Sequence, residues 1–274
     1  MTKLTMAGLT DPGRLRPENE DCIVLYPEIG LAVLADGMGG HNAGEVASRM
    51  AVDVMTRYCV DAFASEPPTP TPSPTEPCAA EAGILRGAIE AANTAIHEMA
   101  HHSPEYAGMG ATVVVALFQD DRLCVGHVGD SRLYRLRAGR LELLTEDHSV
   151  VQELLNRGLI TPEEARQSVS KNLVTRALGV DARVQSDLRA VATETGDVYL
   201  LCSDGLNDVL TDAEIGRLLA AHGADPTAAA RQLVTAANEA GGPDNISAIV
   251  ARADPRFRRT RKAAQKLQSE LENV

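Results

Sequence analysis

Tryptophan is absent from this chain, and all aromatic residues together make up 3% of its 274 residues. Binding single-stranded nucleic acid by base stacking needs aromatic platforms, so that class is excluded. A core built without them must rest on Ala, Val, Leu and Ile. Positive charge is also scarce: 26 Lys and Arg stand against 38 Asp and Glu, for a net charge of −12. A phosphate-backbone binder needs a basic footprint, so no nucleic-acid partner is expected. An excess of carboxylates suits a protein that gathers cations. The five cysteines (Cys22, Cys59, Cys78, Cys124, Cys202) are odd in number and form no CxxC pair. They read as reduced thiols of a cytoplasmic protein rather than a disulfide framework. Long apolar runs are missing too. The longest, Val113 to Phe118 with Ala111 and Thr112 beside it, is far too short for a membrane span. Met1 to Thr10 holds no apolar stretch of the signal-peptide kind.

What is present reads as an ordinary globular chain, 44% hydrophobic and 23% charged. Leu31 to Ala35, Val113 to Phe118, Leu123 to Val128 and Val198 to Cys202 are strand-length apolar runs. Their near-continuous character predicts strands covered on both faces. Arg132 to Leu136 alternates and turns at Ala138-Gly139 toward Leu141 to Leu144, which reads as a hairpin. Helical patterns cover about Ala43 to Phe63 and Ala79 to Ala100. Between them, residues 67–77 carry six prolines and read as an exposed loop. Shorter helices are expected over Ser149 to Arg157, Pro162 to Gln167, Ala213 to His222 and Pro226 to Glu239, with a last strand over Asn245 to Ala251. The sum is one α+β domain over residues 1–254, followed by a tail, 255–274. The tail carries six basic residues against two acidic ones, so the body before it holds about −16. If helical, the tail sets Phe257, Ala264, Leu267 and Leu271 on one face. A solvated charge run is the plain reading, and a docking helix for a partner is the sharper one.

Several acids stand where buried strands emerge. Leu31 to Ala35 runs into Asp36-Gly37, and Val198 to Ser203 runs into Asp204-Gly205. A carboxylate losing its water in such a place favours the neutral form unless a cation is near. Gly after it permits a tight turn and close backbone approach. Gly241-Gly242-Pro243-Asp244-Asn245 delivers a third acid to a strand start, and Val128-Gly129-Asp130-Ser131-Arg132 a fourth to a strand end. Arg16-Pro17-Glu18-Asn19-Glu20-Asp21 adds more acids and one Arg. All are oxygen donors, the set that magnesium or manganese prefers; zinc or copper would want His or Cys. Singly each motif is weak, since an Asp-Gly pair is usually only a turn. Five together, in this order, carry more weight.

In these motifs, and in Gly110-Ala111-Thr112, Asp36-Gly37-Met38-Gly39-Gly40 and Gly242-Pro243-Asp244-Asn245-Ile246-Ser247, the chain resembles the type 2C family of metal-dependent serine/threonine protein phosphatases. The likeness spans about Leu4 to Ala251, and the segment from Asp36 to Ser48 is similar to its bacterial branch. The resemblance implies a four-layer α/β/β/α sandwich, with two stacked antiparallel sheets flanked by helix pairs. It implies two or three divalent cations, Mn2+ or Mg2+. Asp36 would bridge two of them. Asp204 and Asp244 would complete one shell. The Gly37 carbonyl, with Glu20 and Asp21 holding waters, would serve the second. Asp130 with Asp204 would hold a third, weaker ion. Arg16 would bind the substrate phosphate, which its planar fork suits. Two cations about 3.5–4 Å apart activate a water and clamp the phosphoryl oxygens, so no covalent intermediate is required.

One departure is Met38. Many eukaryotic relatives have at this place a His that is a candidate proton donor, and Met cannot donate. His41 and His148 read as structural. Residues 149–179 match the variable flap of bacterial relatives, where Ser168, Ser170 and Lys171 are candidates for substrate contact. The expected partners are phosphorylated proteins and a cognate Ser/Thr kinase. A catalytically silent regulator of the same fold is the alternative; such members lose metal aspartates, and Asp36, Asp130, Asp204 and Asp244 are all present. A general phosphohydrolase acting on small molecules is a third reading, which the flap disfavours.

Overall fold

The computed structural model describes residues 4–40, 43–65, 78–166, 173–253 and 257–273. The proline-rich segment 67–77, His41, Ser168, Ser170 and Lys171 lie outside them. Among the described residues the strands are β1 (Thr5–Asp11), β2 (Asp21–Tyr26), β3 (Leu31–Met38), β4 (Gly110–Gln119), β5 (Arg122–Val128), β6 (Arg132–Arg137), β7 (Arg140–Leu143), β8 (Asp187–Ala192), β9 (Val198–Cys202) and β10 (Ile246–Arg252). The helices are α1 (Ala43–Ser65), α2 (Ala79–His102), α3 (Val150–Asn156), α4 (Pro162–Arg166), α5 (Asp204–Asn207), α6 (Asp212–His222), α7 (Pro226–Glu239) and α8 (Arg261–Leu271).

Two five-stranded antiparallel sheets result. One runs β1-β10-β9-β6-β7, the other β2-β3-β4-β5-β8. Their apolar runs are continuous because each strand faces two apolar layers. Leu31, Val33 and Ala35 of β3 pack under α1 and α2, while Ala32 and Leu34 enter the layer between the sheets. On β9, Val198, Leu200 and Cys202 lie under α6 and α7, while Tyr199 and Leu201 point inward. Side chains alternate faces at every residue, so a strand with helices outside and a second sheet inside has no polar face. Phe118 and Tyr199 meet edge to face across this inner layer, with ring centroids 5.4 Å apart. This is the four-layer sandwich that the sequence predicts.

The outer helices start where their caps say. Thr211 and Glu214 form a reciprocal capping box on α6, and Asp225 caps α7 with Pro226 in its first turn. The predicted hairpin forms with Ala138 and Gly139 both at positive φ. Three strands go beyond the sequence reading. β1 is broken by Gly8 and polar ends, the Cys22 to Tyr26 run of β2 has no strand in the sequence reading, and β8 is a half-exposed edge strand.

The tail also differs from a solvated charge run. Its helix begins at Arg261 rather than near Arg256, after Phe257 pairs with Asp120. Ala264 and Leu267 then join the core cluster of α1 and α2. Arg261 donates to the Ala64 carbonyl at 2.7 Å, and the guanidinium of Arg259 stacks 3.7 Å over Phe63. Of the expected apolar face, Ala264, Leu267 and Leu271 lie on the helix against α1, whereas Phe257 precedes it and packs between the sheets.

Candidate active site

The acids gather at one end of the sandwich because antiparallel pairing puts strand exits beside strand entries. Asp21, the first residue of β2, stands opposite Asp36 near the end of β3. Asp130 follows β5. On the other sheet Asp204 follows β9, and Asp244 precedes β10. The cleft therefore lies on the seam between the sheets, and Ser203 stitches it: its hydroxyl donates to Asp21 Oδ2 at 2.8 Å.

Glycines let backbone replace side chain here. A Cβ on Gly37 would fall 2.0 Å from the Gly44 carbonyl oxygen, and one on Gly205 would fall 2.1 Å from the Asn245 oxygen. Gly37 N–H donates to the Glu20 carbonyl, and the Gly44 N–H at the start of α1 donates to the Glu20 carboxylate. The loop that carries Arg16 is pinned by Asn245. Its amide donates to the carbonyls of Pro12 and Glu18 at 3.0 and 2.8 Å, and its oxygen accepts from Glu20 N–H at 2.8 Å. Thr10 accepts from both Asn19 and Ser247. These positioning residues had no assigned role in the sequence reading. Their signal was available: Asn245, Ser203 and Ser247 are buried polar residues at the ends of otherwise apolar strands.

The electrostatics are those of crowded anions. Loss of water raises the Asp36 carboxyl well above the usual range, and Asp21, Asp204, Asp130 and Asp244 raise it further. Asp204 is raised in the same way, by desolvation and then by Asp130, Asp208, Asp244 and Asp21. Desolvation lifts Asp21 to about 6, against hydrogen bonds from Ser247 and Ser203. It lifts Asp130 to about 6 as well, with Asp147 adding repulsion. Glu20 is raised by burial, which Arg16 opposes. Asp21 Oδ1 is buried with no hydrogen-bond partner. An orphaned carboxylate oxygen among mutually repelling acids fits a divalent cation with hard oxygen ligands. Arg16, half-exposed, donates to Asp244 Oδ2 at 2.8 Å. The structure thus brings Arg16, Glu20, Asp21, Asp36, Gly37, Asp130, Asp204 and Asp244 together at this end of the sandwich.

Among the described residues, a different trio of ligand-type side chains also lies close together. His127, His148 and Asp187 hold their ligand atoms within 4.8 Å of one another. Two of the three already accept from other partners. His148 Nδ1 accepts from Gly129 N–H at 3.1 Å, and Asp187 Oδ1 accepts from Arg176 at 3.0 Å. A cavity of about 420 Å³ opens beside them, lined by Val125, His127, Glu146 and Asp187 and by none of the predicted acids.

Comparison with known proteins agrees with this geometry. The family model "Protein phosphatase 2C" matches residues 21–242. The serine/threonine protein phosphatase PstP of Mycobacterium tuberculosis is 38% identical over 248 residues, covering 90% of this chain and 45% of that protein. This chain thus spans less than half of that relative. The serine/threonine phosphatase stp of Listeria monocytogenes is 37% identical over 248 residues, covering 89% of this chain and 94% of its own. A crystal structure of the PstP catalytic domain in complex with two manganese ions superimposes with a TM-score of 0.78 at 36% identity, covering 92% of this chain and 99% of that one.

Proposed function

This chain belongs to the protein phosphatase 2C family, and from that premise we propose that it hydrolyses phosphoserine and phosphothreonine in protein substrates with divalent cations. The observation that carries the proposal is the crowd of raised carboxylates around the orphaned Asp21 oxygen. Asp36 would contact two cations, Asp204 and Asp244 would serve one, and the Gly37 carbonyl with Glu20 and Asp21 the other. Asp130 with Asp204 would hold a third. Manganese or magnesium suits these oxygen donors. When bound, such cations supply positive charge for the phosphoryl oxygens and lower the pKa of the attacking water.

The chain's own groups do the rest. Arg16 is half-exposed and held to Asp244 by a single bond, so it can turn to an incoming phosphate, which its two parallel N–H donors match. Asn245 holds the Arg16 loop to the strand that starts after Asp244. No thiol competes as nucleophile. Burial pushes Cys59, Cys124 and Cys202 up to about 12 and Cys78 to about 11, so none is a thiolate at neutral pH. Met38 at the end of β3 offers no proton, so the leaving oxygen must take its proton from a water or from another residue.

The substrates are phosphoproteins, and the biological role is reversal of a Ser/Thr kinase in the cytoplasm. The reduced cysteines support that compartment. Among the described residues, no helix is long and apolar enough to cross a membrane.

The test is phosphate release from a phosphothreonine peptide and from a small phosphate ester, with and without Mn2+, beside Asp204→Ala. Metal-dependent release from the peptide, lost in the variant, is expected. A folded protein that releases nothing at any metal concentration is a silent regulator. Preference for the small ester would make it a general phosphohydrolase.

A further inference from the structure

The Asp130 loop hangs on a glycine. Gly129 has φ +104°, and a Cβ there would lie 2.4 Å from Thr112 Cβ. Only Gly fits, and Gly is the residue least able to hold its own conformation. Something else must fix the turn that presents Asp130. Residue 148 grips Gly129 twice. His148 N–H donates to the Gly129 carbonyl at 2.9 Å, and Gly129 N–H donates to His148 Nδ1 at 3.1 Å. The ring thereby completes a two-bond clamp.

The ring is itself built in. His148 is buried, and it stacks on His127 with centroids 4.6 Å apart. The His127 ring is tied through Nε2 to the Glu146 carbonyl at 2.8 Å. Asp147, the residue before His148, takes a forked interaction from Arg132 at 2.9 and 2.6 Å. A neutral ring that accepts at Nδ1 carries its proton on Nε2. That atom faces Asp187 Oδ2 at 3.5 Å; the nearby Arg176 Nη1, 3.1 Å from it, donates to Asp187 Oδ1 at 3.0 Å rather than to the ring. Burial first, then His127 and Arg176, lower the ring's pKa to about 4, so the ring is neutral at neutral pH, and the Gly129 N–H bond selects the tautomer with an unprotonated Nδ1.

We infer that His148 is a positioning residue: its Nδ1 fixes the Gly129 backbone and so sets where Asp130 stands in the cleft. The inference rests on the proposed reading of Asp130 as a metal ligand. It goes beyond a satisfied core histidine because it makes one ring atom, rather than ring volume, responsible.

The test compares substitutions that move the acceptor. His148→Asn keeps an acceptor near the Nδ1 position, His148→Gln moves it outward, and His148→Ala removes it. In the metal-free protein, 15N spectra are expected to show a bare Nδ1 and a protonated Nε2 on His148. The Gly129 amide is expected to exchange slowly in the parent and in His148→Asn, and faster in the other two. In phosphate release, His148→Gln and His148→Ala lower kcat about tenfold with an unchanged KM, and His148→Asn restores most of it. In an Asp130→Asn background, His148→Ala adds no further loss. A proton found on Nδ1 overturns the inference. So does a His148→Asn protein as impaired as His148→Ala at equal melting temperature, or a further loss of the same size in the Asp130→Asn background. Asp130→Asn indistinguishable from the parent would instead sink the reading of Asp130 as a ligand, and the inference with it.

Discussion

At the scale of single residues, the site sets Arg16 among many anions. Arg16 bridges to Asp244 through a single 2.8 Å bond at a half-exposed site. Such a pair contributes little to stability, so its purpose lies in binding. Arg16→Lys keeps the charge and loses the fork. The expected outcome is a fall in kcat/KM for the phosphothreonine peptide of about tenfold, one charge-assisted bond's worth, with an unchanged melting temperature. Steady-state kinetics beside a thermal melt checks both halves. An unchanged kcat/KM would remove Arg16 from phosphate binding.

At the scale of elements, α8 tests whether the tail belongs to the body. Leu267 is buried in the cluster that α1 and α2 share, and Leu267→Ala is expected to cost about 2–3 kcal/mol. A calorimetric melt should fall by several degrees while metal-dependent activity at low temperature persists. No loss of stability would mean that α8 leaves α1 in solution. The same element marks how far the sequence was legible. Spacing gave the apolar face of Ala264 and Leu267, but no residue of the tail names the helix that meets it. The inner strands were readable because two apolar layers demand continuous hydrophobic runs. Edge strand β8 and the polar-flecked β1 were not, since pairing rather than burial makes them strands. For the site, the acids were legible as a set, because strand ends followed by Gly recur. The clamps around them, Asn245 on the Arg16 loop and His148 on Gly129, depend on contacts 225 and 19 residues apart in sequence, which no local pattern encodes.

At the scale of the molecule, the gathered acids tie stability to pH and to cations. Asp21 and Asp130 are pushed up to about 6 in the folded chain, above their ordinary 3.8, and burial with mutual repulsion raises Asp36 and Asp204 in the same direction. A carboxyl whose folded pKa is raised makes the native state bind more protons than the unfolded one. Its contribution therefore favours folding at low pH and is lost as pH rises through the folded pKa. Metal-free protein is expected to melt lower at about pH 7.5 than at about pH 5.5. Manganese should raise the melting temperature chiefly at the higher pH, where the carboxylates are free to bind it. Equal melting at both pH values with chelator present would show that the acids do not repel one another in solution. The layout has a mechanical side as well. β1 is an edge strand whose end is knotted into the cleft through Thr10, Asn19, Ser247 and Asn245. A pull that peels β1 from β10 would load those bonds, so tension on this one strand would reach the acids directly.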